Sequence, residues 1–458
     1  MAERILQLSD LISRAAHTLQ AYANIPDLND PYHPASEEFR TNQDAVLATN
    51  TIVEAAFQLI ACVRPPALSI FHHHIRASAL RVCVESNVVE ALREAGPKGM
   101  HVDDLALKLQ LPAGKLGRIL RYLATNHIFR EIEPDVFCNN RISSVLDSMK
   151  SLKDLLLCFR PEDKHNNTNG FAALMELFGG DLHKSSAYLL ENLKDPATSA
   201  SEEPRHAPLQ RAFKIDVPIF EWYNQSEQTP RLRHFMVAMQ GTGVLQPEAD
   251  LVKCTSFDWR TLSPGCLVVE VGGGLGLSCL TVAQEFPDLK FEIQDRKEVV
   301  SRGPTAWETV DPDVVERVHF RAHSYLLPQP TTNPAVFVVK HVIHNLSDPY
   351  ALQVLKLLRA AAAPETRLLL VDSIIPYACP SSRDSELAFI PPPPLDNFGA
   401  VNERAYISDL TMMLNLNAQE RTLPHLRTLL GAAGWKVSEV GKRDGMDNFM
   451  QPIIALPV

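Results

Sequence analysis

The pattern of apolar and polar positions divides the chain into an N-terminal helical part and a C-terminal alternating part. Apolar residues recur at helical spacing over residues 1–24 and 42–63, which predicts two helices. The segment between them, NIPDLNDPYHPASEEF, is rich in Pro, Asn and Asp and predicts a linker. From about residue 255 short apolar runs alternate with helical stretches. This alternation predicts an α/β fold whose parallel sheet carries helices on both faces.

The alternating part supplies four strands and their helices. The predicted strands are CLVVEV, KFEIQD, AVFVVKHVI and RLLLVDSII, and GWKVSEVG closes the region. Helices are predicted near 276–286, 296–302, 348–363 and 422–434. Ligands of such sheets bind at the carboxyl ends of the strands. We therefore expect the functional residues to lie at that edge.

Residues 78–150 form a separate predicted unit. The pattern indicates a helix over 78–95, helices over HVDDLALKLQL and KLGRILRYLATNHIF, and a hairpin over FREIEPDVFCNNRIS. This is the order of a winged-helix module. Its third helix carries Lys115, Arg118 and Arg121, but the unit also holds many acidic residues. DNA binding and a structural or dimerising role are both open, and we favour the second.

Composition narrows the class of protein. The 458 residues suffice for two or three domains, with 45% hydrophobic and 21% charged residues. The net charge of −10 argues against a nucleic-acid partner. The N-terminus lacks a signal-peptide core, and no stretch approaches a membrane span of about 18 uninterrupted apolar residues. The eight cysteines are scattered without a CxxC pair, so we expect reduced thiols in a cytoplasmic protein.

Glycines cluster in the segment VVEVGGGLG, residues 268–276. Glycine also makes tight turns without any ligand, so the cluster alone is a weak signal. A dinucleotide fingerprint would require a small residue at Leu277. The spacing is instead Glu270-x-Gly272-x-Gly274-x-Gly276, the ExGxGxG form typical of S-adenosylmethionine (SAM) methyltransferases. We therefore expect Gly272, Gly273 and Gly274 to bind the cofactor.

A carboxylate follows at the end of the next predicted strand. Asp295 closes KFEIQD, nineteen residues after Gly276. A carboxylate at this place can accept hydrogen bonds from ribose hydroxyls. Asp295 also fits the N-cap of the following helix, and the two roles are compatible.

A second motif identifies the family. KHVIHNLSD at 340–348 resembles the Lys-x-x-x-His-(Asn/Asp)-x-x-Asp motif of plant and fungal small-molecule O-methyltransferases. VVEVGGGLG, KFEIQDRKEVV, LLLVDSIIP and NAQERT match the family in the same order, most closely its fungal members. The likeness is strong over roughly 220–458. It implies a C-terminal Rossmann-like class I SAM methyltransferase domain with an N-terminal dimerisation domain.

The resemblance also implies a domain division. The helical and winged-helix region over 1–150 would form a homodimer. Residues 151–250 would connect it to the catalytic domain and supply the substrate pocket, and residues 251–458 would form the SAM-binding domain. A proline-rich run, PPPPLDNFG at 391–399, is an unusual insertion that fits a rigid lid element or an exposed loop.

The family's catalytic residues carry over by motif. His344 corresponds to the general base, and Asp372 and Glu420 to the two acids that flank it. A phenol has a pKa of about 10, and an imidazole of pKa about 6.5 can take its proton. His344 also fits a structural histidine at a helix start, and Glu420 a helix cap. Asp372 is shorter than the glutamate common in the family.

The resemblance also implies cofactor and pocket residues, and one of them departs from the family's pattern. Lys340 matches a polar cofactor contact, although it also fits a charge at the sheet edge. Ser324, in His323-Ser324-Tyr325, stands where fungal relatives have an aspartate, so a charge is missing there. The resemblance implies a substrate pocket formed by Trp222, Phe235, Met236 and Met239. A row of aromatic and Met residues also fits a buried core.

The resulting hypothesis is a SAM-dependent O-methyltransferase of secondary metabolism acting on a phenolic or polyketide-like hydroxyl without a metal. The consecutive histidines 72–74 point in different directions on a helix and do not predict a metal site. One alternative is a SAM-binding family member that catalyses dehydration or a pericyclic reaction without methyl transfer. Another is a SAM-sensing regulator that binds DNA, which the acidic charge disfavours.

Overall fold

The computed structural model describes residues 2–22, 25–33, 42–71, 75–158, 160–245, 251–252, 256–379, 392, 394–395, 399–441 and 450–458. The histidines 72–74, Cys254 and most of the insertion at 391–399 lie outside these residues. The other seven cysteines are free thiols, as predicted.

Two long helices begin the chain at the predicted places. Helix α1 spans Ala2–Gln20 and α2 spans Gln43–Val63, and they pack along each other. Helix α2 begins where the Asn42 side chain accepts hydrogen bonds from two free amides of the first turn. The short helix α3 follows over Pro66–Phe71.

Helix α2 is the one helix in the described part of the chain that is long and apolar enough to cross a membrane. Only 28% of its most apolar window is buried. Its middle nevertheless holds Glu54, which is 4% exposed and accepts hydrogen bonds from Gln58 and from the backbone of Ala400. A carboxylate bonded to a distant part of the same chain is typical of a helix that packs on protein.

A helical unit with a small sheet follows. It contains α4 (Arg76–Glu85), α5 (Val88–Ala95), β1 (Met100–His101), α6 (Val102–Leu109), α7 (Ala113–Ala124), β2 (Arg130–Glu133) and β3 (Val136–Cys138). The strands pair antiparallel in the order β1-β3-β2, which confirms the hairpin. The single helix predicted over 78–95 is wrong. Asn87 adopts a left-handed conformation with φ 60°, which ends one helix and starts another.

Helices link this unit to the C-terminal sheet. They are α8 (Arg141–Ser144), α9 (Leu152–Leu156), α10 (Phe171–Leu177), α11 (His183–Ser186), α12 (Leu189–Lys194), α13 (Pro208–Phe213), α14 (Ile219–Tyr223) and α15 (Thr229–Leu245). The start of α10 crosses α15 very closely. A Cβ on Gly170 would lie 2.2 Å from the Val237 carbonyl, and one on Gly241 would lie 2.4 Å from the Gly170 carbonyl. Only glycine permits this approach.

The C-terminal part is a seven-stranded sheet of order β6-β5-β4-β7-β8-β10-β9. Its strands are β4 (Leu267–Val271), β5 (Lys290–Asp295), β6 (Val318–Ala322), β7 (Val336–Lys340), β8 (Arg367–Asp372), β9 (Trp435–Val440) and β10 (Gln451–Pro457). The predicted parallel sheet is confirmed from β6 to β8. Strand β10 runs antiparallel to both of its neighbours, which the sequence pattern missed.

Helices cover both faces of this sheet, as predicted. They are α16 (Leu277–Glu285), α17 (Lys297–Val300), α18 (Gly303–Ala306), α19 (Pro312–Val315), α20 (Asp348–Ala361) and α22 (Leu423–Ala432), whereas α21 (Glu403–Leu416) packs against α13. Val269 packs with α20 and α22, whereas its neighbour Val268 packs with α16 on the other face. The carboxyl ends of β4, β5, β7 and β8 therefore lie along one edge between the two helical layers.

Candidate active site

The glycine loop follows β4 and has a backbone that other residues adopt with difficulty. Gly272, Gly274 and Gly276 have φ values of 68°, 60° and 74°. A Cβ on Gly272 would lie 2.6 Å from the Val342 side chain, so this position also lacks space. A Cβ on Gly274 would meet nothing within 4 Å. The backbone at Gly274 therefore borders open space, which a ligand can approach closely.

Asp295 connects the end of β5 to this loop. Its Oδ2 accepts a hydrogen bond from the Gly274 amide at 2.8 Å, and its Oδ1 accepts one from the Arg296 amide at 2.7 Å. Burial raises the pKa of Asp295 although these two bonds oppose the shift. The helix-cap interpretation of Asp295 is wrong, because the N-cap of α17 is Arg296. The carboxylate instead braces the glycine loop, beside the open space at Gly274.

Lys340 and Ser324 lie on either side of this region. Lys340 ends β7, is 8% exposed, and donates a hydrogen bond from Nζ to Ser278 Oγ at the start of α16. Lys340 is therefore a buried charge at the carboxyl edge of the sheet, which is compatible with both predicted roles. Ser324 is exposed, in a turn that the His323 amide ties to the Asp295 carbonyl at 2.9 Å. The turn thus places an uncharged hydroxyl where the sequence motif led us to look for an acid.

His344 lies in a single 3₁₀ turn, Ile343–Asn345, between β7 and α20. It is 6% exposed, and its Nδ1 lies 2.8 Å from Glu420 Oε1. Ser408 in α21 donates a second hydrogen bond to the same oxygen at 2.6 Å. The N-cap of the following helix is Ser347, so His344 does not serve as a helix cap. The imidazole is held through Nδ1, which leaves Nε2 as the nitrogen that can exchange a proton.

The two predicted acids differ in their contact with His344. Glu420 is bonded to it, and the helix-cap role considered for Glu420 belongs to Thr422, the N-cap of α22. Asp372 ends β8 and is 5% exposed. Among the described residues no side chain donates a hydrogen bond to either Asp372 oxygen. Of the two acids predicted to flank His344, Glu420 is therefore hydrogen-bonded to the imidazole, and Asp372 acts on it only through its charge.

Charge and burial compete at these groups. Burial lowers the pKa of His344, but the charge and hydrogen bond of Glu420 and the charge of Asp372 outweigh it and raise the pKa to about 9. Burial raises the pKa of Asp372 to about 7, and the Glu420 charge adds to this rise while the His344 charge opposes it. The site therefore holds its protons more tightly than the free side chains do.

Arg421 was missed by the sequence analysis, although NAQERT contains it. Its guanidinium donates to the carbonyls of Ile343 and Leu346 at 3.0 and 2.8 Å, on both sides of His344. Its Nε bonds Asp348 at 2.9 Å, and Asp348 also contacts His425 at 2.7 Å. Asp348 of the KHVIHNLSD motif and Arg421 therefore hold the His344 turn in place together.

His341, the other histidine of the motif, lies beside His344. The two ring centres are 5.4 Å apart, and His341 has a φ of 57°. Burial, together with the charges of His344 and Lys340, lowers the pKa of His341 well below its usual value. His341 is therefore the neutral member of the pair.

The four predicted pocket residues occupy different environments. Trp222 is 4% exposed and packs against Phe213 and Tyr223, so it belongs to an aromatic core. Phe235 lies at the edge of that core, Met236 contacts Arg302, and Met239 is exposed. The core interpretation is therefore correct for Trp222.

An aromatic contact joins this region to the carboxyl end of β5. The Arg296 guanidinium lies 5.0 Å from the centre of the Phe220 ring, and the Phe220 ring lies 6.0 Å from Phe235. Helices α14 and α15 therefore border the carboxyl end of β5, where Asp295 lies.

The sheet order, the glycine loop after β4 and the acid after β5 define the class I SAM methyltransferase fold. The O-methyltransferase domain family matches residues 191–436, and the O-methyltransferase dimerisation domain matches residues 68–148. The chain belongs to this family of SAM-dependent O-methyltransferases, and SAM is its cofactor.

Fungal relatives match along the whole chain. The chain is 38% identical to 4-O-methyltransferase 1 of Phanerochaete chrysosporium and 36% identical to an O-methyltransferase of Armillaria gallica, each over 100% of both chains. Among solved structures, a pericyclic reaction enzyme superposes with TM-score 0.68 at 16% identity over 100% of both chains. The mitomycin 7-O-methyltransferase MmcR superposes with TM-score 0.64 at 19% identity, over 88% of this chain and 100% of its own. At these identities the two structures share the fold alone.

Proposed function

We propose that the enzyme methylates a phenolic hydroxyl of a small molecule and that His344 is the general base. The observation that carries this proposal is the buried His344–Glu420 contact, which holds the imidazole through Nδ1 at the edge of the sheet where the glycine loop lies. Glu420 orients the ring, and Nε2 takes the hydroxyl proton as the oxygen attacks.

The residues at the glycine loop fit SAM. Gly274 leaves its backbone accessible, and a SAM ribose would find the Asp295 carboxylate next to it. Gly272 and Gly273 let the chain turn away from β4. Lys340 borders the same site and is hydrogen-bonded to Ser278 at the start of α16. When bound, SAM supplies an electrophilic methyl group. The role of the protein is then to align the acceptor oxygen and to remove its proton.

The protonation of His344 sets a condition on this mechanism. A pKa of about 9 means that the imidazole of the free enzyme is mostly protonated at neutral pH. A general base must be neutral to accept a proton. Activity therefore depends on the small neutral fraction, or on loss of that proton as the acceptor binds, and both cases require a rate that rises with pH.

The acceptor would lie beside α14 and α15. Phe235, Met236 and Met239 project from the part of α15 next to Phe220 and Arg296. Met and aromatic side chains pack well against flat rings, which favours an aromatic or polyketide-like acceptor. The name of the Phanerochaete relative, a 4-O-methyltransferase, makes a 4-hydroxyl of a phenol the first acceptor to test.

The test is transfer of labelled methyl from SAM to a panel of phenols that differ in the position of the hydroxyl. We expect methylated product with the wild-type enzyme and a loss of about 100-fold or more in kcat for His344→Ala. SAM affinity, measured by calorimetry, should be unchanged. His319→Ala, at an exposed position on β6, is the matched control.

Two results would contradict this proposal. Equal kcat in His344→Ala and wild type would remove His344 as the base while leaving methyl transfer intact. A product that forms from the acceptor without gaining the labelled methyl would instead support dehydration or pericyclic chemistry.

We further propose that the enzyme is a homodimer that buries an apolar surface of α2 and α3. Phe57 and Ile60 of α2 are 57% and 51% exposed, and Ile70 and Phe71 of α3 are 79% and 71% exposed. Several large apolar side chains exposed on two consecutive helices are typical of a protein interface. The family dimerisation domain begins at residue 68, within α3.

Light scattering after gel filtration tests the homodimer. We expect a dimer for the wild type, and a monomer for Phe57→Asp combined with Ile60→Asp. Leu190→Asp is the control, because Leu190 is 58% exposed on α12, outside the segment that matches the dimerisation domain. A wild-type monomer at micromolar concentration would contradict the proposal.

A further inference from the structure

Three ligand-type side chains converge in the connecting region, apart from the site around His344. His165 ends the 3₁₀ turn Pro161–His165, Glu176 lies in α10, and His234 lies in α15. His165 Nε2 is 2.9 Å from Glu176 Oε1, and His234 Nε2 is 3.3 Å from Glu176 Oε2. One ligand atom from each residue lies within 4.8 Å of the other two.

His165 is buried and His234 is half-buried, and three of their four ring nitrogens lack a hydrogen bond to a described residue. His165 is 1% exposed, and neither of its ring nitrogens makes a hydrogen bond of acceptable geometry with a described residue. The same is true of His234 Nε2. The nitrogens are thus close to the carboxylate but are not directed at it as hydrogen-bond donors. Buried nitrogens without partners are costly, and coordination of a cation by their lone pairs would remove that cost.

Charge favours a cation at this place. The carboxylate of Glu176 lies between the two imidazoles, with a ring nitrogen within 3.3 Å of each of its oxygens. Two imidazoles and one carboxylate form a ligand set that suits Zn²⁺ and related divalent transition metals.

We propose that His165, Glu176 and His234 bind one divalent transition-metal ion, for which Zn²⁺ is the best match. Metal–ligand distances of about 2.0–2.2 Å would draw the three ligand atoms slightly closer together. The ion would link the 3₁₀ turn and α10 to α15. On α15 the residues that follow His234 are Phe235 and Met236. Its role is to fix α15 against α10, close to the crossing of Gly170 and Gly241.

The sequence analysis did not anticipate this cluster, because its members lie far apart in the chain and belong to no metal motif. The expectation that no metal binds rested on the residues around His344 and on histidines 72–74. A metal ion at this cluster would not change the proposed methyl transfer at His344, which uses no metal. The metal site and the proposed function can therefore be tested independently.

The experiment uses full-length protein without an affinity tag, in a background with His72→Asn, His73→Asn and His74→Asn. This background removes a run of histidines that could bind zinc by itself. Metal is removed with a chelator, and Zn²⁺ is then titrated in competition with a chromophoric chelator. The visible spectrum of a Co²⁺ titration reports the ligand geometry. Glu176→Gln and His234→Gln are the test variants, and His319→Gln is the matched control.

We expect one Zn²⁺ per chain and a melting temperature that rises when Zn²⁺ is added back. Glu176→Gln and His234→Gln should weaken Zn²⁺ binding about 100-fold or more, while His319→Gln binds like the background protein. Two results would overturn the proposal. One is the absence of stoichiometric binding by the background protein, which would make the cluster a buried ion triad. The other is unchanged binding in both test variants, which would place the ion elsewhere.

Discussion

His344 Nδ1 and Glu420 Oε1 meet at 2.8 Å although the two residues lie 76 positions apart in the chain. His344 comes from the turn after β7, and Glu420 from the segment between α21 and α22. The Ser408 hydroxyl fixes the same oxygen from α21. The contact therefore joins the parallel half of the sheet to the C-terminal helices, and the predictions about acid–base chemistry depend on it.

Replacing Glu420 should change both the rate and its pH dependence. The pKa of His344 is about 9 chiefly because the charge and hydrogen bond of Glu420 overcome burial. In Glu420→Gln we expect the rise of kcat/KM with pH to move to lower pH by about one unit or more. The maximal kcat should fall about 10- to 100-fold as the ring loses its orientation. A profile identical to that of the exposed control Glu439→Gln would contradict this role.

Asp372 should make the folded state less stable as pH rises. Its pKa is about 7 in the fold, against 3.8 for the free side chain, so the folded state binds its proton more tightly. The contribution to stability is complete below about pH 3.8 and is lost as pH rises through 7. Asparagine mimics the protonated acid. The free energy of unfolding of Asp372→Asn, measured in urea relative to wild type, should therefore increase from pH 4 to pH 8. A constant difference would show that Asp372 does not titrate in this way.

Arg421→Lys should impair catalysis more than cofactor binding. Lysine cannot bond the Ile343 and Leu346 carbonyls and Asp348 together, because it lacks the planar fork of arginine. We expect kcat to fall about 10- to 100-fold through misplacement of the His344 turn. The SAM dissociation constant from calorimetry should change less than twofold. Arg260→Lys, whose side chain is 84% exposed, is the control. Equal losses of SAM affinity and kcat would instead indicate general unfolding.

Ser324→Asp should tighten SAM binding. The turn that holds Ser324 is tied to the Asp295 carbonyl, so a carboxylate there would face the region proposed for the adenosyl group. A charged hydrogen-bond acceptor typically contributes about 1.5–3 kcal/mol when its donor is bound. Because Ser324 is exposed, we expect only a several-fold lower dissociation constant. Ser301→Asp, on another exposed turn, should have no effect.

Gly272→Ala should destabilise the fold, whereas Gly431→Ala should not. At Gly272 the backbone has a φ of 68° and a Cβ would lie 2.6 Å from Val342 Cγ2. The left-handed conformation alone costs about 1–3 kcal/mol, and the contact adds to it. A Cβ on Gly431, in α22, meets nothing within 4 Å, and alanine gains up to about 1 kcal/mol there. Thermal unfolding of the two variants compares them directly, and equal melting temperatures would refute the steric argument.

The sequence predicted those parts of the structure in which local pattern and geometry agree. Strands β4, β7 and β8 are mostly apolar runs, whereas β5, KFEIQD, alternates apolar and polar residues. Both patterns indicate strands, so the alternation of strands and helices and the position of Asp295 followed from the sequence. Strand β6 was missed because VHFRA is short, carries two polar side chains and has no fully buried position. Strand β10 contains two prolines, and its antiparallel direction depends on contacts that no local pattern encodes.

The site residues also divide into those that the sequence predicted and those that it did not. The resemblance identified His344 and Glu420, and the structure brings their side chains together. The missing bond to Asp372 depends on the length of one side chain and on the positions of β7 and β8, which the sequence does not specify. Arg421 was overlooked because an arginine in a polar segment is usually exposed, whereas this one is 4% exposed and bonds backbone carbonyls.

Two consecutive residues, Glu420 and Arg421, hold the same turn. Glu420 bonds the imidazole of His344, and Arg421 bonds the main-chain carbonyls on either side of it. A mutation that displaces this segment would therefore alter proton transfer and alignment together. Engineering of acceptor preference would then best leave residues 419–425 unchanged. The place for sequence variation is α15 beyond His234, where side chains border the aromatic core and none supports the His344 turn.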